Sequence, residues 1–369
     1  MNELRTGLSY GDVLLVPKRS PVDSRSDVDL STTLTPSVEL DTPLVSAAMD
    51  TVTESDLAIE LGRSGGFGVL HRFLTPEEQA AQVTQVKEAG ERVGAAVGID
   101  EDYVARGAAV IEAGVDALVV DVAHGHLERT LEAVEILAGE FPDTDLIAGN
   151  VATPAGVEDL AAAGADCVKV GIGPGSHCTT RKVAGAGVPQ LTAVDDCATA
   201  AEEAGVTVCA DGGIRTSGDA VKALMAGADT VMLGSLFAGT AEAPGAVVAV
   251  DGTRYKRSRG MATTAAAEER EDKRNDVSAD EGVEALTPYK GPLADVAEEF
   301  CAGIRSGLSY CGGHTIPEAR EDAEFIRVAR SAREREGFHA DHDWEGVDVD
   351  SGVRRVRDST VEATADGDD

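Results

Sequence analysis

One stretch of the chain concentrates the residue types that do covalent chemistry: KVGIGPGSHCTTRKVAGAGVPQ, residues 169–190. Gly171, Gly173 and Gly175 precede Ser176, and Cys178 is followed by Thr179 and Thr180. Glycines there let the backbone approach a ligand and leave N–H groups free to cradle an anion. Arg181 and Lys182 follow closely and are expected to favour the thiolate, which makes Cys178 the best nucleophile. The other cysteines (167, 197, 209, 301 and 311) form no CxxC pair and read as small buried thiols in a reducing cytoplasm. A second stretch, ADGGIRTSGD (210–219), with LGS at 233–235, offers more backbone N–H groups to a phosphate. Asp211 opens that loop, where it either binds a ribose hydroxyl pair or serves as a turn or helix-cap aspartate.

These loops must be carried by a scaffold. Buried-strand runs stand at 43–48, 67–71, 92–98, 116–123, 145–152, 166–172, 206–213 and 229–235, separated by amphipathic stretches such as 75–90 and 217–228. Eight such units predict an α/β protein with a (β/α)8 TIM barrel, a doubly wound sheet being the alternative. Glycine-bearing or charged motifs just after the carboxyl ends of most strands favour the barrel. Residues 210–219 and 233–235 then follow strands seven and eight, a frequent phosphate site. Residues 254–292 break the rhythm with many charges and few large apolar side chains; they read as a mobile flap or a disordered insert. Helical patterning returns in PLADVAEEFCAGIRSGLSYCGG and IPEAREDAEFIRVARSARE. The expected domains are a single catalytic barrel over 1–335, with its flap at about 262–287, and an acidic tail over 336–369.

Composition limits the partners. The 369 residues carry 66 Asp and Glu against 32 Lys and Arg, a net charge of −34. Such a surface repels nucleic-acid backbones and anionic membranes. The 43% hydrophobic fraction argues against disorder. Only 8 lysines accompany 24 arginines, a halophilic balance resembling proteins adapted to high salt; an acidic protein of ordinary salt is the alternative. No apolar run reaches the roughly 18 residues of a membrane span, and the N-terminus has no apolar signal core, so a cytoplasmic location is expected. His124 and His126 lack a third ligand for zinc. Ser217 or Asp219 is expected to cap a helix. His339 and His342 are expected to be exposed, and Trp344 either anchors the tail or is exposed.

The chain resembles the IMP dehydrogenase/GMP reductase family over almost its whole length. The likeness is carried by LSYGDVLLVP (8–17), PLVSAAMDTVTES (43–55), GGFGVLHR (65–72), VDVAHGH (120–126), IAGNVAT (147–153), VKVGIGPGSHCTTR (168–181), ADGGIRTSGD (210–219), VMLGSLFAGT (231–240), YKRSRGM (255–261) and PYKGPL (288–293). The resemblance implies a barrel, usually tetrameric, acting on a purine nucleotide at C2. Cys178 resembles the cysteine that forms a covalent thioimidate. Thr180 resembles its threonine partner, and Glu281 the partner supplied by the loop. Asp211 resembles the ribose-binding aspartate. Ser176, Gly213, Gly234 and Ser235 resemble the phosphate cradle, with Gly212 in the same substrate-binding set. Gly260 and Met261 resemble the site that reads the purine edge. Asp121 and Asn150 resemble residues near the nicotinamide. Gly173, Gly175 and Cys178 resemble a loop able to bind potassium through carbonyls.

The family runs two reactions through one covalent intermediate. The dehydrogenase passes hydride from IMP to NAD⁺ and hydrolyses the thioimidate to XMP; the reductase expels ammonia from GMP and takes hydride from NADPH to give IMP. Hydrolysis needs a base, which family dehydrogenases supply as an Arg-Tyr pair on the flap. Here Arg274 is followed by Asn275, Ser258 replaces the tyrosine expected before Arg-Gly-Met, and the flap is of reductase length. No paired CBS modules interrupt residues 87–98. GGIRTSGD, SHCTTR and GIRSGLSYCGG (303–313) look more like bacterial dehydrogenases, and Arg274 keeps that reading open. The flap decides which second step is chemically possible, so the expectation is an NADPH-dependent GMP reductase, with a CBS-less, NAD⁺-dependent IMP dehydrogenase as the alternative. A purine-nucleotide-binding barrel without turnover is a third reading, opposed by the joint retention of Cys178, Thr180 and Glu281.

Overall fold

Short runs of Val, Ala, Ile and Leu, apolar on both faces, become the parallel strands of a central sheet, as burial on both sides requires. In the computed structural model, which describes residues 4–100, 102–261 and 282–332, these strands are β1 (Leu44–Ser46), β2 (Gly68–Leu70), β3 (Val93–Val97), β4 (Ala117–Asp121), β5 (Asp145–Val151), β6 (Cys167–Val170), β7 (Thr207–Asp211) and β8 (Thr230–Leu233). From β2 to β8 each strand pairs with the next in parallel. β8 pairs with β1 through Met232 opposite Val45. The ring closes between β1 and β2, where the Ser46 N–H donates to the Phe67 carbonyl at 3.0 Å and the Phe67 N–H to the Leu44 carbonyl at 2.9 Å. The fold is therefore a (β/α)8 TIM barrel and not a doubly wound sheet.

The crossovers are α1 (Ser55–Arg63), α2 (Pro76–Glu88), α3 (Tyr103–Glu112), α4 (Glu128–Glu140), α5 (Pro154–Ala162), the single turn α6 (Thr180–Val183), α7 (Gln190–Ala204) and α8 (Ser217–Met225). They start where the sequence supplies caps. Thr75 and Glu78 form a capping box ahead of Pro76, and Thr153 caps α5. For α8 the cap is Thr216, whose hydroxyl accepts from the Asp219 N–H, while Asp219 reciprocates as the third helical residue. Neither Ser217 nor Asp219 is itself the cap.

Two apolar layers result. Between strands and helices lies a large Val, Leu and Ala cluster. Inside the ring Val45, Phe67, Val69, Val119, Ile147, Cys167, Cys209 and Met232 pack together. An N-terminal hairpin, Thr32–Thr35 with Val38–Leu40, presses Leu34, Val38 and Leu40 onto this inner cluster. It is fastened at the amino ends of the strands: the Thr32 hydroxyl donates to the Asp229 carbonyl at 2.9 Å, and the Ser37 N–H to the Asp145 carboxylate at 2.8 Å.

After β8 comes a sheet that the sequence pattern did not reveal. β9 (Val247–Val250), β10 (Thr253–Arg259) and β11 (Glu284–Pro288) are antiparallel neighbours. The expected flap range of 262–287 therefore ends in a strand, and β10 and β11 bracket residues 262–281. Lys256 on β10 fixes the sheet to the barrel: its buried ammonium donates to the carbonyls of Thr240, Ala241 and Ala243. Burial of that amine lowers its pKa, against the opposing pull of Glu242.

The chain then returns as α9 (Leu293–Cys311) and α10 (Ile316–Glu321). The expected helical run after Ile316 stops at Glu321, and a short strand, Phe325–Arg327, follows. The barrel unit ends at Ile326, and residues from Arg327 form a second unit. Arg274, Asn275, Glu281, His339, His342, Trp344 and the acidic tail over 336–369 lie outside the described residues. Among the described residues no helix is long and apolar enough to cross a membrane.

Candidate active site

The carboxyl ends of β6, β7 and β8 place the two glycine-rich loops side by side. A Cβ on Gly171 would sit 2.0 Å from the Asp211 carbonyl oxygen, so only glycine lets the ends of β6 and β7 meet this closely. Between the loops is a pocket of about 240 Å³. It is lined by Ser176, Cys178 and Thr180 from the first loop, by Asp211, Gly212 and Gly213 from the second, and by Gly234 and Ser235 after β8. Gly260 and Met261, at the end of β10, complete the wall. Ten positions singled out in the sequence thus face one cavity.

Cys178 is exposed, and the other cysteines are all buried. Its thiol donates to the Thr180 hydroxyl at 3.2 Å. Burial pushes the thiols of Cys197 and Cys209 up to about 12 and that of Cys301 up to about 11, so none of these is a nucleophile at neutral pH. Arg181 is not turned to Cys178 as its sequence position suggests. Its guanidinium donates to the carbonyls of Val188 at 2.6 Å and Ile172 at 3.4 Å, which ties the loop's two ends together.

The nucleophile loop also pairs with the second sheet. The Val283 N–H donates to the His177 carbonyl at 3.0 Å, and the Gly260 N–H to the Val283 carbonyl at 3.0 Å. A Cβ on Gly260 would lie 2.9 Å from the His177 carbonyl oxygen, so glycine is required there too. Next to it Arg259 donates through Nε to Asp50 Oδ2 at 2.8 Å, with Nη2 on the same oxygen, in a pair only 14% and 11% exposed. This pair holds the Gly260–Met261 segment against the loop after β1.

Asp121 and Asn150 do not line the pocket itself but are wired to it. Asn150 Nδ2 donates to Asp211 Oδ2 at 2.8 Å and to the Gly171 carbonyl at 2.9 Å. Lys169, its side chain 2% exposed, pairs with Asp121 Oδ1 and, at 3.3 Å, with Asp211 Oδ2. Burial favours the neutral amine, but the two carboxylates outweigh it and hold the Lys169 pKa above the ordinary lysine range. Asp211 is therefore not a helix cap. Sequence reasoning missed Lys169, although one cation inside the apolar run DCVKVGI was a usable signal. It also missed His177, which faces the second sheet, and Met49, Ile214 and Met232 on the apolar wall.

His126 pairs with Asp159 at 2.6 Å, a surface contact that leaves it no metal role. Among the described residues no cluster of His, Cys, Asp and Glu suits a metal ion.

A nucleophilic thiol beside a hydroxyl, glycine N–H groups around a cavity and a carboxylate held by a buried cation together suit covalent chemistry on a phosphorylated nucleoside. Comparison with known proteins agrees. The family model described as "IMP dehydrogenase / GMP reductase domain" matches residues 7–339. An inosine-5'-monophosphate dehydrogenase of Nitrosopumilus maritimus is 38% identical over 463 aligned positions, covering 89% of this chain and 97% of the relative. The alignment is longer than this chain, so that relative carries residues with no counterpart here. A GMP reductase of Leishmania donovani is 36% identical, covering 91% of this chain and 97% of its own length. A Bacillus subtilis inosine-5'-monophosphate dehydrogenase is 36% identical, covering 88% and 93%. The chain is a purine nucleotide oxidoreductase and belongs to the IMP dehydrogenase/GMP reductase family.

Proposed function

We propose that the protein is a GMP reductase, converting GMP to IMP and ammonia with hydride from NADPH. The observation that carries this reading is the loss of the tyrosine partner: Asn275 follows Arg274, and Ser258 stands before Arg259-Gly260-Met261. Without a base to activate water, a thioimidate survives long enough to be reduced instead of hydrolysed.

In this reading the Cys178 thiolate adds to C2 of the purine and ammonia leaves, giving the thioimidate. Thr180, within hydrogen-bond reach of Sγ, handles protons with Glu281. Asp211 holds the ribose hydroxyls, and the backbone N–H groups of Gly212, Gly213, Gly234 and Ser235, with the Ser176 hydroxyl, take the phosphate. Gly260 and Met261 read the base edge. The dinucleotide supplies hydride to C2, after which the thiolate departs and IMP is released. Its nicotinamide fits beside Asp121 and Asn150. Asn150 Oδ1 is buried without a hydrogen-bond partner among the described residues, an acceptor that a carboxamide N–H would satisfy. The carbonyl oxygens of Gly173, Gly175 and Cys178 are the donor type a potassium ion takes. The Gly175 carbonyl already accepts the Cys178 N–H at 3.1 Å, which leaves its second lone pair. A homotetramer is the proposed assembly.

The second reading, IMP dehydrogenase with NAD⁺, is favoured by the names of the Nitrosopumilus and Bacillus relatives and by Arg274, which could serve alone as base. The deciding assay supplies GMP with NADPH and, separately, IMP with NAD⁺, in concentrated potassium chloride. NADPH oxidation with equimolar ammonia and IMP is expected. NADH formation with XMP as product would overturn the first reading in favour of the second.

A further inference from the structure

His177 immediately precedes the nucleophile, yet its ring takes no part in the chemistry described above. It is buried, at 9% exposure. Its Nε2 lies 2.9 Å from the Ser258 hydroxyl on β10, 81 residues further along the chain. Ser258 in turn lies 2.7 Å from the Thr287 hydroxyl on β11. On its other side His177 Nδ1 lies 3.3 Å from the Ser176 hydroxyl. One polar chain therefore runs Ser176–His177–Ser258–Thr287, from the pocket wall through both strands of the second sheet.

The backbone repeats the connection, since the His177 carbonyl accepts from Val283 and Cys178 forms an antiparallel bridge with Gly282. The main-chain bonds fix the height of the loop against the sheet, but they leave its tilt to be set by a side chain. His177 is the residue placed to do so. Its imidazole is rigid and offers one donor and one acceptor on opposite sides, which Ser176 and Ser258 use. Burial lowers the ring's pKa, which keeps it in the neutral, two-faced form. An apolar side chain at 177 would leave the Ser258 and Thr287 hydroxyls buried with only each other and the Ala285 carbonyl, which lies 3.5 Å from Ser258 Oγ.

We infer that His177 is a positioning residue: through its hydrogen bond to Ser258 it locks the nucleophile loop onto the second sheet and thereby sets the aim of Cys178 Sγ and Ser176 Oγ. The inference rests on Cys178 being the nucleophile, but not on which of the two reactions the protein runs. It also assigns the Ser258 hydroxyl a use of its own in this chain, as the anchor of that lock.

The test compares His177→Leu, His177→Gln, Ser258→Ala and the double variant His177→Leu/Ser258→Ala in the full chain. Glutamine places an amide near the position of Nε2 and keeps the bond to Ser258; leucine does not. Two quantities are read. One is the rate of Cys178 alkylation by iodoacetamide in the nucleotide-free protein, a single-site measurement because the other cysteines are buried. The other is kcat and KM on whichever nucleotide is turned over. The expected result is an alkylation rate altered severalfold and a kcat lowered about tenfold in His177→Leu and in Ser258→Ala. The dinucleotide KM should stay within twofold, the double variant should be no worse than either single one, and His177→Gln should be close to the unaltered protein.

Additive losses in the double variant, an unaltered alkylation rate in both single variants, or a glutamine variant as impaired as leucine would overturn the inference. Should the leucine variant fail to fold, Ser258→Ala and His177→Gln decide on the same criteria. Failure of the functional reading looks different: the unaltered protein turns over neither nucleotide, while the alkylation comparison still reports on His177.

Discussion

The thiol of Cys178 and the hydroxyl of Thr180 meet at 3.2 Å across one intervening residue. A hydroxyl in that place accepts from the thiol and donates to the thiolate, so it can follow the sulfur through a catalytic cycle. Cys178→Ala is expected to lower turnover by at least about 10³-fold, because covalent catalysis is lost, while nucleotide affinity measured by calorimetry stays within about threefold. Thr180→Val keeps the shape and removes the hydroxyl. It is expected to lower kcat by about 10²-fold, the lower range for a proton-transfer group. Full activity in Cys178→Ala would end the covalent mechanism.

Lys169 holds together two carboxylates that would otherwise repel. Lys169→Met is expected to destabilise the fold by about 3–5 kcal/mol, as removal of one member of a buried charged cluster does. Urea unfolding at pH 7 measures this. Turnover should fall as well, because Asp211 loses the cation that fixes its direction.

The same residue predicts a pH dependence with a definite sign. The folded pKa of Lys169 is raised, so the folded state holds its proton more tightly than the unfolded state does. Its contribution is fully present below the unfolded value of about 10.4 and is lost as pH rises through the folded value. Unfolding free energy should therefore show no Lys169-dependent slope from pH 7 to about 10. Above that, a decline should appear that is missing in Lys169→Met. A Lys169-dependent decline already between pH 7 and 9 would contradict the assignment.

Arg259 grips Asp50 with two nitrogens and carries Gly260 and Met261 with it. Arg259→Lys retains the charge and loses the fork. The expected outcome is a rise of about tenfold in the nucleotide KM, about 1.4 kcal/mol of binding, with a melting temperature within a few degrees of the unaltered protein. An unchanged KM would show that Asp50 does not place the base-reading segment.

A net charge of −34 repels itself. Screening lengths shrink from about 30 Å at 0.01 M salt to about 3 Å at 1 M, so the melting temperature should climb by several degrees over that range in potassium chloride. A flat or falling curve would remove the link between this composition and high salt.

The barrel was legible because each strand is a compact apolar run followed by glycine, and each crossover carries its own cap. The pocket was legible for the same reason: glycines that must approach a ligand or another backbone stand out in sequence, as Gly171 and Gly260 do. The second sheet was not. β10 reads TRYKRSR, and its buried positions are Lys256 and Ser258, polar residues satisfied by carbonyls and hydroxyls that no local pattern announces. His177 escaped for a related reason, since its partner Ser258 is 81 residues away. Asp219 was read as a cap because the sequence shows a capping box as a set of polar residues; which one accepts first is decided by backbone geometry at Thr216.

The hairpin that seals the amino ends of the barrel strands has a kinetic meaning. With Leu34, Val38 and Leu40 filling that end, the cavity at Cys178 has a single mouth, shared by nucleotide, dinucleotide and product. Traffic through one doorway is sequential: whichever ligand sits deeper must arrive first and depart last. The buried floor thus imposes an order of addition and release that no residue in the pocket needs to enforce.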